Sequence, residues 1–143
     1  MVDFSENFYF IIQDEIQSYH WNRDYCTLHS VVIYLLDNEG KLKHESFCII
    51  SDDNLHDTNF LYQVQTIITK YIQENYTNIN KIYYFSDGCS AQYKNYKNFV
   101  NLCHHREDFG MDAEWIFFAT SHGKSPCDGI GGNVKQHVTK KSL

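Results

Sequence analysis

The sequence predicts a single three-layer α/β domain with a mixed sheet, and three observations carry that expectation. Residues 26–36 (CTLHSVVIYLL) and 41–51 are extended runs separated by Asp37-Asn38-Glu39-Gly40, the pattern of a hairpin. Phe60, Leu61, Val64, Ile67, Ile68, Tyr71 and Ile72 recur at helical spacing. Two short apolar runs, 82–85 and 113–120, are each followed by a helical segment, the alternation that covers a sheet with helices. At 143 residues the chain is one domain with enough length to bury a core.

In order, Val2-Asp3-Phe4 has the character of a strand end with almost no strand before it, so the first strand reads as truncated in a fragment of a longer protein or as very short. Residues 13–25 (QDEIQSYHWNRDY) read as an irregular insertion. The 26–36 run is apolar on both faces, which suits an interior strand. Asp57 or Thr58 is the expected N-cap of the amphipathic helix. The apolar run Ile82–Phe85 then ends in Ser86-Asp87-Gly88, delivering a carboxylate to the end of a buried strand. A helix over about 93–105 is expected to bury Phe99 and Val100, with Leu102 and Cys103 beside them. A turn at Gly110, a strand at 113–120 and a helix from Ser125 to about Lys141 complete the order.

Hydrophobic residues make up 43% and charged residues 21%, ordinary for a globular protein, and aromatic content is high at 16%. No apolar run approaches the roughly 18 residues of a membrane span, so no membrane partner is expected. The five cysteines contain no CxxC pair and read as reduced, intracellular thiols. A net charge of −6 argues against a broad, non-specific nucleic-acid binder, but not against an enzyme holding cations in an acidic pocket.

Asp3, Asp87 and Asp128 are the candidate site residues, each placed at a strand end or a helix start. Gathered carboxylates repel one another unless a cation neutralises them, and hard oxygen ligands suit Mg²⁺ or Mn²⁺. Two such ions can serve phosphodiester chemistry. Asp87 and Asp128 also have purely structural readings. Asp87 can make an Asp-Gly turn, and Asp128 can close a capping box with Ser125 around Pro126. Gly129, Gly131 and Gly132 behind it weaken a helix unless backbone must approach something closely, the sheet or a substrate strand. His122 can shuttle protons and Lys124 can neutralise phosphate charge. Lys94 and Lys97, with Tyr93 and Tyr96, read either as a nucleic-acid backbone contact or as a solvated helix face. Cys89, Cys103, His104 and His105 match no zinc module spacing.

Three stretches, DFSEN, FSDGCSAQYKN and FFATSHGKSPCDGIGGNVK, resemble animal proteins of transposon-derived type. The element order is similar to the ribonuclease H-like core of DDE/D transposases and retroviral integrases. That resemblance implies a five-stranded mixed sheet flanked by helices, with metal-ligating Asp3, Asp87 and Asp128 and an active-site His122. It implies DNA cleavage and strand transfer with two Mg²⁺ or Mn²⁺ ions, no small-molecule cofactor, a nuclear location and room for a homo-oligomer. A third aspartate stands where many transposases use glutamate. The rival expectations are an inactive binding module and a structure-specific nuclease of the same fold. The acidic balance predicts weak, salt-sensitive, sequence-independent DNA binding that needs divalent ions, with Lys94, Lys97 and Lys124 contributing.

Overall fold

The computed structural model describes residues 1–5, 7–9, 25–37, 39–118 and 125–142. The expected insertion, apart from Tyr25, and the loop carrying His122 and Lys124 lie outside the described residues. The elements are β1 (Val2–Phe4), β2 (Phe8–Tyr9), β3 (Tyr25–Leu36), β4 (Leu42–Ser51), α1 (Thr58–Asn75), β5 (Lys81–Ser86), α2 (Tyr96–Phe109), β6 (Asp112–Phe117) and α3 (Pro126–Ser142). This is a mixed α/β structure whose described strands form two sheets, one antiparallel and one parallel. The elements group into two compact units, β1–β4 with α3, and α1 through β6.

In the first unit β3 is the central strand, and every residue from 26 to 32 along it is buried. β4 runs antiparallel along one edge, from Thr27↔Ser51 to Leu36↔Leu42. The turn between them is held by Asp37 Oδ1, which accepts from the N–H groups of Glu39 (3.0 Å) and Lys41 (2.9 Å). Gly40 supplies the left-handed conformation there, at φ 75°.

β1 and β2 share the other edge of β3. Phe4 pairs with His29 and Phe8 with Cys26, so four steps on the edge strand face three on β3. The register shifts by one residue between the two pairings, and the Ser5 N–H reaches Leu28 O at 2.9 Å. β1 itself is three residues long, the short first strand that the sequence suggests.

α3 packs over β3, β4 and β1. Val134 and Cys48 close on the buried cluster of Phe8, Cys26 and Leu28. The closest approach is at Gly131, where an added Cβ would lie 2.8 Å from Ser5 Cβ, closer still to its Oγ, and 3.6 Å from Ser30 Oγ. Gly129 and Gly132 face open space. Of the two expected reasons for the glycines, approach to the sheet is met, and by one glycine only.

In the second unit Asp57 caps α1, its Oδ1 accepting from Asn59 N (2.9 Å) and Phe60 N (3.0 Å). The buried stripe is Phe60, Leu61, Val64, Gln65, Ile68, Thr69 and Ile72, whereas Ile67 is exposed. β5 and β6 pair in parallel from Lys81↔Asp112 to Ser86↔Phe117, with α2 as the crossover. Asn95 caps α2 through Asn98 N (3.0 Å), and Gly110 ends it at φ 71°, so the helix starts and stops later than its apolar pattern predicts. Phe99 and Val100, expected in the core, are exposed; α2 buries Asn98 and His105 instead. The helix is placed by polar anchors. Asn98 Nδ2 donates to Tyr93 O at 2.8 Å, and Tyr93 is itself fully buried.

His105 ties the unit's layers together. Its Nδ1 lies 2.7 Å from Met111 O, which can only accept, so Nδ1 carries the proton and Nε2 accepts from Tyr84 Oη at 3.0 Å. Burial holds the imidazole below its ordinary value and pushes the Tyr84 phenol well above its own.

Two outcomes follow. Gly131→Ala is expected to destabilise by about 1–3 kcal/mol through overpacking against Ser5, while Gly129→Ala and Gly132→Ala gain up to about 1 kcal/mol of helix propensity. Chemical denaturation checks this, with Ser5→Gly restoring stability to the Gly131→Ala chain. For His105 the folded value is depressed, so the unfolded chain binds the proton first as pH falls. Its contribution is complete above about pH 6.5 and is lost on acidification toward the lowered folded value. The stability difference between wild type and His105→Gln should therefore shrink from about pH 7.5 to about pH 5 in urea titrations.

Candidate functional site

Asp3 pairs with Ser30 on β3, and Ser30 pairs with Cys48 on β4, so the three form a cross-strand row on one face of the antiparallel sheet. It is the face α3 covers, since Gly131 approaches Ser30 and Ser5 from it. Cys127, in the first turn of α3, is 1% exposed. Its thiol is pushed up to about 11, chiefly by burial; the Met1 α-amino group opposes this, and the carboxylates of Asp3 and Asp128 add to it. One buried sulfur thus feels the N-terminus and two of the three predicted carboxylates. β1 and α3 pack together on this face.

Asp128 has a second occupation. Its Oδ2 accepts from Ser125 N–H at 2.6 Å, the carboxylate half of a capping box, while its own N–H bonds Ser125 O at 3.1 Å rather than the hydroxyl. The negative charge also suits the positive end of α3.

Asp87 follows β5 in the second unit. Its Oδ1 accepts from Cys89 N–H at 3.1 Å, making an Asx turn. The Cys89 carbonyl in turn accepts from the N–H groups of Tyr93 (2.8 Å) and Lys94 (3.0 Å). Behind it, Trp115 Nε1 donates to Ser86 Oγ at 2.9 Å, and Ser86 Oγ donates to Asp87 O at 2.9 Å. Trp115 stacks on Tyr84 with ring centroids 4.7 Å apart. The Asp87 backbone is therefore held from β6 through a buried hydroxyl.

Lys94 and Lys97 are exposed, Lys94 in the turn before α2 with its Nζ 5.6 Å from the Phe117 ring centroid, and Lys97 in the first turn of the helix. His122 and Lys124 lie outside the described residues. Sequence reading missed Cys127, Ser86 and Trp115. Cys127 could have been found from its position between the helix-starting Pro126 and Asp128, whereas nothing in the sequence marks Trp115 as the partner of Ser86.

The family model described as "Domain of unknown function (DUF8701)" matches residues 1–143. The chain belongs to this family. Neither a curated protein nor a solved structure was found to match it. Among the described residues of this DUF8701 chain, no helix is long and apolar enough to cross a membrane.

The donor chemistry of the DUF8701 carboxylates suits a hard divalent cation. Asp87 and Asp128 each commit one oxygen to a backbone N–H and leave the other open. Among the described residues no group of three or more His, Cys, Asp or Glu side chains is close enough to hold a metal. The cap on α3 gives a direct measurement. Asp128→Ala should cost about 1 kcal/mol in denaturant unfolding, and Asp128→Asn about half that or less, because an amide oxygen still accepts from Ser125 N–H.

Proposed function

We propose that this DUF8701 domain is a ribonuclease H-like catalytic core of the DDE/D transposase type, cleaving DNA phosphodiesters and transferring strands. The fold proposed has β1/β2, β3, β4, β5 and β6 as its five strands. The observation that carries the reading is the packing of α3 on β1 and β3, with Gly131 against Ser5 and Ser30, because the first strand and the last helix carry two of the three acidic positions of that fold. The order of the elements supports it too: an antiparallel meander, a helix, a parallel strand–helix–strand unit and a final helix.

In this reading Asp3, Asp87 and Asp128 supply oxygen ligands, and their structural bonds preset the carboxylates. The capping box orients Asp128, and the Asx turn with the Ser86–Trp115 relay orients Asp87. Two bound Mg²⁺ or Mn²⁺ ions would supply Lewis acidity and an activated water or hydroxyl. His122 moves a proton between solvent and the leaving oxygen, and Lys94, Lys97 and Lys124 hold phosphates. The protein acts on DNA in the nucleus.

The structural bonds of Asp87 and Asp128 also favour a second reading, a transposon-derived binding module in which both carboxylates serve only turn and cap. Cleavage assays on supercoiled DNA separate the two. Mg²⁺-dependent nicking that is lost to background in each of Asp3→Asn, Asp87→Asn and Asp128→Asn, with the folded state retained by circular dichroism, is the expected result. Full activity in a folded Asp128→Asn chain removes Asp128 from the site. Absence of nicking in the wild type supports the binding module.

A further inference from the structure

We propose that the turn before α2, the first turns of that helix and the end of β6 form a stacking platform for single-stranded nucleic acid. The proposal rests on the preceding reading only in taking nucleic acid as the partner class, and it needs no metal. Three observations carry it.

The first is charge. Residues 88–106 hold Lys94, Lys97 and Arg106 and no Asp or Glu, leaving 9 basic and 18 acidic residues for the rest of a chain that has 12 and 18. Arg106 is committed to Asp112 at 3.2 Å, whereas neither Lys94 nor Lys97 forms an ion pair among the described residues. With no acidic residue in the first turn of α2, the positive end of the helix dipole adds to the two lysines.

The second is aromatic exposure. Tyr96 is 81% exposed on the first turn, the most exposed of the large apolar side chains among the described residues. Phe99, one turn on, is 40% exposed and meets Phe117 edge-on with centroids 6.2 Å apart. A core helix would turn these rings inward, but α2 buries Asn98 and His105 and turns them out.

The third is their interleaving. Lys94 lies over the Phe117 ring at 5.6 Å, so cation and π-face share one patch. Paired stacking rings and phosphate-neutralising cations are what a single strand needs, because its bases are open to stack and its backbone follows the charge. A duplex hides its base faces and offers Tyr96 nothing to stack on. Whole-chain acidity predicts binding only with divalent ions; the uneven distribution of charge revises that for single strands.

The test is fluorescence anisotropy of the full chain with labelled oligodeoxyuridylate and oligouridylate of about 12 nucleotides, in EDTA, with the matching duplex as a third arm. Both single strands are expected to bind and the duplex to bind more weakly; a preference between the two single strands identifies the sugar recognised. Tyr96→Ala should weaken single-strand binding by about 5- to 100-fold, the loss of one stacked base, with the salt dependence unchanged. Lys94→Gln and Lys97→Gln should each flatten the slope of log K against log salt by about 0.7. No single-strand binding in EDTA, tighter binding of the duplex, or a folded Tyr96→Ala chain that binds like wild type would each overturn the proposal. The platform is read in EDTA, where the metal-dependent cleavage of the catalytic reading does not occur. Failure of cleavage and failure of the platform are thereby told apart.

Discussion

The contact between Gly131 and the first-strand edge of the antiparallel sheet is the constraint on which the first unit depends. A side chain at 131 would occupy the space of Ser5, which follows β1 and bonds Leu28 on β3. With the helix seated this close, Cys127 is sealed one turn earlier and Val134 is laid on Phe8, Cys26 and Leu28 one turn later. β1 and α3 are packed together in consequence.

The second unit is organised by polar groups inside an aromatic layer. Tyr84 bonds His105 on one side and stacks on Trp115 on the other, and Trp115 passes a hydrogen bond through Ser86 to the Asp87 carbonyl. Satisfied buried polar groups specify geometry more narrowly than apolar contacts do, since each donor accepts few arrangements. That accounts for a short parallel pair and a weakly amphipathic helix holding the Asp87 turn in one conformation. It also accounts for the exposed rings of α2. Once Asn98 and His105 anchor its inner side, Tyr96 and Phe99 are left outside.

The two kinds of carboxylate in the proposed site share a property. Asp87 and Asp128 each use one oxygen to close a local backbone motif and keep the other open. A ligand held this way loses little further freedom when it binds a cation, so the turn and the cap are compatible with a metal role as well as sufficient without one.

The sequence by itself determined the elements whose causes are local. The β3–β4 hairpin follows from two extended runs around Asp37-Asn38-Glu39-Gly40, α1 from its Asp57 cap and repeating stripe, and the start of α3 from Ser125, Pro126 and Asp128. Each depends on residues within a few positions of one another, where side-chain period and backbone capping are readable. The tertiary structure decided the rest. The one-residue shift between the β1 and β2 pairings exists only in the register against β3. Gly131 differs from Gly129 and Gly132 only because Ser5 lies against it. Phe99 and Val100 look like core until Asn98 and His105 take the inner side of α2 through bonds to Tyr93, Tyr84 and Met111. These outcomes rest on contacts between residues far apart in the chain. One-dimensional spacing cannot rank a buried hydrogen-bonded asparagine or histidine above an apolar neighbour, because what makes its burial favourable is a partner supplied by another element.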